Sequence, residues 1–321
     1  MDEPARMGRA WTYLTRFVCV TSFAEGKRAA AVEGMYAGQT AGESGRFAVF
    51  YWNMIERHCR SPPIMNILPG MLLKAKIGEM FVDIQAIRRI VADSDNIVFF
   101  GGAGTSTESG IPDFRSAGGL YNTEIGGFSP EEMLSRDFFL RHTPLFYQFY
   151  LKHMIYKDVR PNAAHRALAE LERQGKLKAV ITQNIDGLHQ MAGSKEVLEL
   201  HGSVHRNYCM KCGKFFNLDY ILAFENSVPT CDRCEGIVKP DVVLYQEPLD
   251  HEIMRKARDY IARADVLIVA GTSLSVYPAA GLVQYYNGNN MILINQSPTP
   301  YDGAAHFVLR ESIGKVMQSL I

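Results

Sequence analysis

The chain predicts an α/β fold: a Rossmann-like parallel sheet with helices on both faces, plus a small zinc-ribbon lobe. Three observations carry this. The apolar run Asn96-Ile97-Val98-Phe99-Phe100 empties into a glycine-dense turn, Gly101-Gly102-Ala103-Gly104. From residue 82 onward, apolar strand-like runs alternate with helical segments. Four cysteines fall as Cys209-x-x-Cys212 and Cys231-x-x-Cys234, with 18 residues between the pairs.

In chain order, the predicted strands are Ile97–Phe100, Ala179–Thr182, Val197–Leu200, Val266–Val269, Met291–Ile294 and His306–Leu309. Their near-continuous apolar character suits a sheet buried on both faces. A helix is predicted to open near Pro161 and close around Gly175, and another to cover residues 251–263. Residues 145–155, rich in Phe, Tyr and Met, read as a packed helix. The cysteine segment, about 204–240, interrupts the alternation and is expected to form its own lobe.

The glycine turn is where a dinucleotide pyrophosphate would bind, because glycines admit phosphate closely and a helix start offers N–H donors with partial positive charge. The three-glycine fingerprint is not met, since Gly104 is followed by the next glycine only at Gly110. An ordinary strand-to-helix turn is the plain alternative. Stronger evidence is convergence: Thr182-Gln183-Asn184-Ile185-Asp186, Leu200-His201-Gly202, Gly271-Thr272-Ser273 and Asn295 all leave strand ends, the edge where ligands lie in open α/β sheets.

Two thiolate pairs two residues apart can close a four-sulfur tetrahedral site with no position left for water, so Cys209, Cys212, Cys231 and Cys234 are expected to hold one structural zinc. Two disulfides would instead require an oxidising compartment, and no convincing secretory signal supports one. Cys19 and Cys59 read as plain thiols.

With 47% hydrophobic residues the 321-residue chain can bury a full-sized core. Its 34 basic and 34 acidic side chains cancel, which disfavours a whole-chain attraction to nucleic acid or anionic membrane. The apolar run at residues 10–24 is interrupted by Arg16 and too short to span a bilayer, while Asp2, Glu3 and Glu25 spoil an organelle-targeting pattern. A cytoplasmic protein is expected. Residues 1–78 read as a poorly ordered or loosely packed extension ahead of a catalytic domain over 79–321, with Met80 as an alternative start.

The run from Gly102 to Arg115, of the form G-A-G-x-S-x-x-x-G-I-P-D-F-R, is met downstream by Thr182-Gln-Asn-Ile-Asp-Gly-Leu-His189 and His201-Gly-Ser203. Together these resemble the sirtuins, of bacterial type, over roughly residues 79–321. The resemblance implies NAD as co-substrate and an acetylated-lysine protein or peptide as partner. In that family the acyl carbonyl oxygen attacks the anomeric carbon of the nicotinamide ribose, nicotinamide leaves, and a histidine base activates a ribose hydroxyl. Lysine and O-acetyl-ADP-ribose are released. His201 matches the base, and Asn184 and Asp186 match the pair that fixes the carboxamide and ribose. Phe114 and Ile185 would wall the nicotinamide pocket, and Gln183 would meet the ribose. Gly102, Ala103, Gly104, Thr107 and Arg115 would surround the phosphates, and Gly271, Thr272, Ser273 and Asn295 the adenosine half.

Val242 and Val243 match the stretch that pairs with substrate as an added strand. Two departures stand out. Gln246 occupies a position where the family usually has glycine, which puts the peptide register in question. The arginine of desuccinylating members is missing, the nearest match being Tyr150-Leu-Lys-His153, so a carboxylated acyl chain lacks a bidentate partner and deacetylation is expected. A mono-ADP-ribosyltransferase and a non-catalytic NAD-sensing or zinc-ribbon module remain the alternatives.

Overall fold

A computed structural model describes the backbone of Tyr13–Val20 and Ala31–Gly38, and residues 84–321 except 117, 123–126 and 226. The chain divides into two compact units, Met1–Lys74 and Ala75–Ile321. In the first, strands β1 (Tyr13–Val20) and β2 (Ala31–Gly38) pair antiparallel. The expected character of residues 1–78 otherwise lies outside the described residues.

The second unit opens with helix α1 (Ile84–Asp93) and strand β3 (Ile97–Gly101). Helices α2 (Pro130–Met133), α3 (Arg136–Arg141), α4 (Thr143–His153) and α5 (Ala163–Arg173) follow. Next come β4 (Leu177–Thr182), α6 (Leu188–Ala192), β5 (Val197–Glu199), β6 (Gly202–Cys209), β7 (Phe215–Phe216), α7 (Leu218–Leu222) and β8 (Val238–Val242). The chain ends with α8 (His251–Arg263), β9 (Val266–Ala270), β10 (Met291–Ile294), β11 (Phe307–Leu309) and α9 (Ile313–Ser319).

Six strands form one parallel sheet in the order β11-β10-β9-β3-β4-β5. All six sequence-predicted strands are in it, with ends moved by a residue or two. Alternation decides which helices cover which face: Ile97 and Phe99 join α1, α5 and α9 in one core, while Val98 and Phe100 join α8 and the 3₁₀ segment Ala279–Tyr285 in the other. From β3 the chain winds outward through β4 and β5 on one side and returns through β9, β10 and β11 on the other. The switch point therefore lies between β3 and β9, and their carboxyl ends open a crevice there.

The smaller lobe is built on the antiparallel sheet β7-β6-β8 and on more chain than residues 204–240. Phe138, Phe139, Phe146, Tyr147, Phe149 and Tyr150 of α3 and α4 pack into one core with Val204, Phe216, Val238 and Leu244. Edge-on contacts such as Phe139–Phe146 at 4.9 Å and Phe146–Tyr147 at 5.5 Å lock these rings. Among the described residues, no helix is long and apolar enough to cross a membrane.

Candidate functional site

The glycine turn does not open a long helix, contrary to the sequence expectation. It makes two 3₁₀ turns, Ala103–Thr105 and Thr107–Ser109, and stops at Gly110 in a left-handed conformation. Part of its donor set is also spent internally: the Gly102 N–H donates to the Ala270 carbonyl at 3.2 Å and the Gly104 N–H to the Gly271 carbonyl at 2.8 Å. The glycines serve close backbone packing across the switch point. A Cβ on Gly104 would sit 2.7 Å from the Gly271 Cα, and one on Gly271, at φ +62°, would sit 2.4 Å from the Thr105 nitrogen. Asn162 completes the joint by accepting from the Ala164 N–H as the α5 cap while donating to the Thr105 carbonyl at 2.8 Å.

The end of β4 supplies Gln183, Asn184, Ile185 and Asp186. The Gln183 N–H donates to the Gly101 carbonyl, and its side-chain amide donates to the Thr272 hydroxyl at 3.0 Å, joining β4 to β9. Asn184 donates to the Ser106 hydroxyl at 3.1 Å, and that hydroxyl donates to Asp186 Oδ2 at 2.6 Å. The other Asp186 oxygen accepts from the Leu188 N–H at 2.9 Å. Burial raises the Asp186 pKa, and the Ser106 and Leu188 donors offset part of that rise by favouring the carboxylate. Ser106, 1% exposed, was absent from the sequence-derived site although it stands inside the quoted G-A-G-x-S motif.

Among the described residues, the His201 ring makes one hydrogen bond: Nδ1 lies 2.9 Å from the Gln183 carbonyl oxygen. A carbonyl can only accept, so Nδ1 carries the proton and Nε2 keeps a lone pair. Burial lowers the His201 pKa, outweighing the opposing effect of the Gln183 carbonyl, so the ring is neutral at pH 7. Behind it, Gly202 has φ +76°, and a Cβ there would lie 1.9 Å from the Asp241 carbonyl oxygen, so β6 and β8 can approach only at glycine. Arg206 then ties this region together, pairing with Glu199 at 2.5 Å and with Asp241 at 2.8 Å. Those two carboxylates stand just before Leu200-His201 and Val242-Val243 respectively.

A cavity of about 1100 Å³ runs through the crevice. Every catalytic, cofactor-binding and substrate-binding residue expected from sequence lines it, from Gly102, Ala103, Gly104 and Thr107 through Phe114, Arg115, Gln183, Asn184, Ile185, Asp186 and His201 to Val242, Val243, Gly271, Thr272, Ser273 and Asn295, while the four cysteines lie apart from it. The volume suits a dinucleotide together with an extended side chain, being at the upper end of ligand pockets. The Phe114 and Tyr121 rings pack at 5.3 Å and the Arg115 guanidinium lies 5.2 Å from the Tyr121 ring centre. Asn295 donates to the Ser297 carbonyl at 2.8 Å, which shapes the loop at the end of β10.

The Val242-Val243 segment has less free backbone than strand addition suggests. The Val243 N–H donates to the His201 carbonyl at 3.0 Å, and the Val242 carbonyl accepts from Lys239 at 3.0 Å. Gln246 adopts φ +74°, the conformation that glycine favours, and turns its side chain outward to accept from the Asp137 N–H at 3.0 Å. That bond caps the α3 end and compensates for the backbone strain.

In the small lobe, Cys209 and Cys234 sulfurs lie 3.4 Å apart and Cys212 and Cys231 sulfurs 3.7 Å apart, with all four within 4.8 Å of one another. Disulfide sulfurs would be about 2.0 Å apart. A tetrahedron with metal–sulfur bonds of about 2.3 Å has edges of about 3.8 Å, so the four thiolates fit one zinc ion.

A doubly wound sheet with a crevice at its switch point, a neutral buried histidine and a four-thiolate lobe together define a nucleotide-using enzyme class. The Sir2 family model matches residues 102–278. A curated relative from Clostridium acetobutylicum, an NAD-dependent protein deacetylase, is 59% identical over 252 residues, covering 78% of this chain and all of the relative. One from Cutibacterium acnes with the same description is 50% identical over 231 residues, 72% of this chain and 94% of the relative. Among solved structures, a Sir2 homolog–NAD complex has 39% identity and a TM-score of 0.66, covering 74% of this chain and 91% of the other. A Sir2–p53 peptide–NAD⁺ structure has 37% identity and a TM-score of 0.65, covering 74% and 96%. The chain belongs to the Sir2 family.

Proposed function

We propose that this protein is an NAD-dependent protein-lysine deacetylase that converts acetyl-lysine, NAD and water to lysine, nicotinamide and O-acetyl-ADP-ribose. The observation that carries the proposal is His201: a neutral imidazole, its tautomer set by the Gln183 carbonyl, with Nε2 free on a cavity wall. NAD supplies the electrophilic anomeric carbon. The chain's residues position it and handle protons. Gly102, Ala103, Gly104, Thr107 and Arg115 line the phosphate end; Gly271, Thr272, Ser273 and Asn295 line the adenosine end. Asn184 and Asp186, locked through Ser106, present an amide and a carboxylate to the carboxamide and ribose, between Phe114 and Ile185, with Gln183 beside the ribose. His201 takes the proton from a ribose hydroxyl, a role its unprotonated Nε2 suits at pH 7.

The acetyl-lysine chain enters beside Val242 and Val243, and a zinc ion held by Cys209, Cys212, Cys231 and Cys234 stabilises the lobe that carries them. Among the described residues, the position expected for an acyl-binding arginine is His153, and Tyr150 is buried in the aromatic core away from the cavity, which supports acetyl over succinyl. The reading includes a cytoplasmic location.

The test is to incubate the protein with an acetyl-lysine peptide and NAD and weigh all products. Loss of one acetyl group per nicotinamide released is expected. An unchanged peptide with ADP-ribosyl groups appearing on protein acceptors would replace this reading with mono-ADP-ribosyl transfer.

A further inference from the structure

The cofactor side and the peptide side of the crevice meet through two hydroxyl groups. Tyr121, in the 3₁₀ turn Leu120–Asn122, lies 2.7 Å through its Oη from that of Tyr245. These residues are 124 positions apart. On one side, the Tyr121 N–H donates to the Phe114 carbonyl at 2.9 Å, its ring packs on Phe114, and the Arg115 guanidinium stacks over it. On the other, Tyr245 follows Val242-Val243-Leu244 directly and is pinned on both backbone groups: its N–H donates to the Leu134 carbonyl at 3.0 Å and its carbonyl accepts from the Arg136 N–H at 2.9 Å. Gln246 adds the third pin through Asp137. The Tyr245 backbone is thus fixed to α2 and α3 before any ligand arrives, while its exposed side chain is left for a ligand to order, and the hydroxyl of that side chain is bonded to Tyr121 beside Phe114 and Arg115. Burial and the Tyr245 hydrogen bond both raise the Tyr121 pKa, so its hydroxyl keeps its proton in any ordinary buffer.

We propose that the Tyr121–Tyr245 hydroxyl pair is a positioning contact that couples occupancy of the acetyl-lysine channel to the hold of Phe114 and Arg115 on the dinucleotide. This rests on the function proposed above. A peptide lying along Val242-Val243 restrains Tyr245, and the shared hydrogen bond then restrains the Tyr121 turn in the conformation that places Phe114 and Arg115. The second ligand meets a loop whose ordering has already been met in part by the first, which is positive coupling.

The experiment uses the full chain with ADP-ribose, which cannot react, and an acetyl-lysine peptide. Calorimetry gives the ADP-ribose Kd with and without saturating peptide, and the ratio is the coupling factor. Tyr121→Phe and Tyr245→Phe keep both rings and remove one hydroxyl each. A net hydrogen bond of this kind corresponds to roughly threefold to tenfold, so each variant should lower the coupling factor by about that much, and the double variant should lower it no further. Peptide affinity, measured with and without ADP-ribose, should change by the same factor. Circular-dichroism melts confirm that the variants fold. An unchanged coupling factor in both single variants, or losses that add in the double variant, overturns the latch. A wild-type protein that fails to deacetylate any peptide instead overturns the functional reading, so the two failures are told apart.

Discussion

Acidification should destabilise this fold through a histidine that takes no part in chemistry. His165, on α5, is 0% exposed, and its Nδ1 accepts from the Asn162 N–H. Its ring lies 4.6 Å from that of His189, which is also buried, and neither His165 Nε2 nor either His189 nitrogen has a hydrogen-bond partner among the described residues. Burial, with a smaller contribution from Arg166, lowers the His165 pKa from 6.5 to about 4. The folded value is below the unfolded one, so this stability is fully present above 6.5 and is lost as pH falls toward 4. At pH 5 an unfolded histidine is almost wholly protonated while His165 is mostly neutral, which lowers stability by about 2 kcal/mol relative to pH 7. His189, shifted in the same direction by burial, adds to the loss. Urea denaturation followed by circular dichroism at pH 7 and pH 5 measures it. His165→Gln should cost stability at pH 7 yet shrink the difference between the two pH values by about 2 kcal/mol. Protonation of the zinc thiolates affects both proteins alike and drops out of the comparison. An equal pH 7-to-5 loss in wild type and variant would refute the reasoning.

Three further outcomes are expected. Elemental analysis should find one zinc per chain, and Cys212→Ser, or a strong chelator, should remove it and unfold the small lobe, since structural zinc contributes on the order of 10 kcal/mol; full thermal stability without metal would contradict this. Gly271→Ala should cost at least about 2–3 kcal/mol in denaturant titration and weaken NAD binding in calorimetry, because left-handed backbone strain adds to the clash with the Thr105 nitrogen. The kcat/KM for deacetylation should rise with pH to a plateau through a midpoint below 6.5, since burial lowers the His201 pKa; a midpoint above 7 would remove His201 as the buried neutral base.

The parallel sheet was legible because strands covered on both faces must be apolar throughout, and α8 because its capping aspartate, Asp250, and its amphipathic spacing are local signals. Sheet order was not legible, since it depends on which crossovers place β9 beside β3. The glycine turn was misread as a helix start because local composition cannot show that the Gly104 N–H is claimed by Gly271, 167 residues away. Ser106 stood in the G-A-G-x-S motif without a role, because its bonds to Asn184 and Asp186 span 78 and 80 residues. The left-handed backbone at Gln246 was signalled only as a departure from glycine, and the bond to Asp137 that stabilises it spans 109 residues. The aromatic half of the small lobe escaped because α2, α3 and α4 are apolar on a face that only β6 and β8 define.

The role given to His201 is tested most directly by separating cleavage of the nicotinamide bond from formation of product. Labelled nicotinamide exchange into NAD and O-acetyl-ADP-ribose formation are followed in parallel for wild type and His201→Ala, with acetyl-lysine peptide present. The variant should bind NAD and retain exchange, which precedes the proton transfer, while product formation falls by about 100-fold or more. Product formation by the variant at the wild-type rate would contradict the assignment of the base.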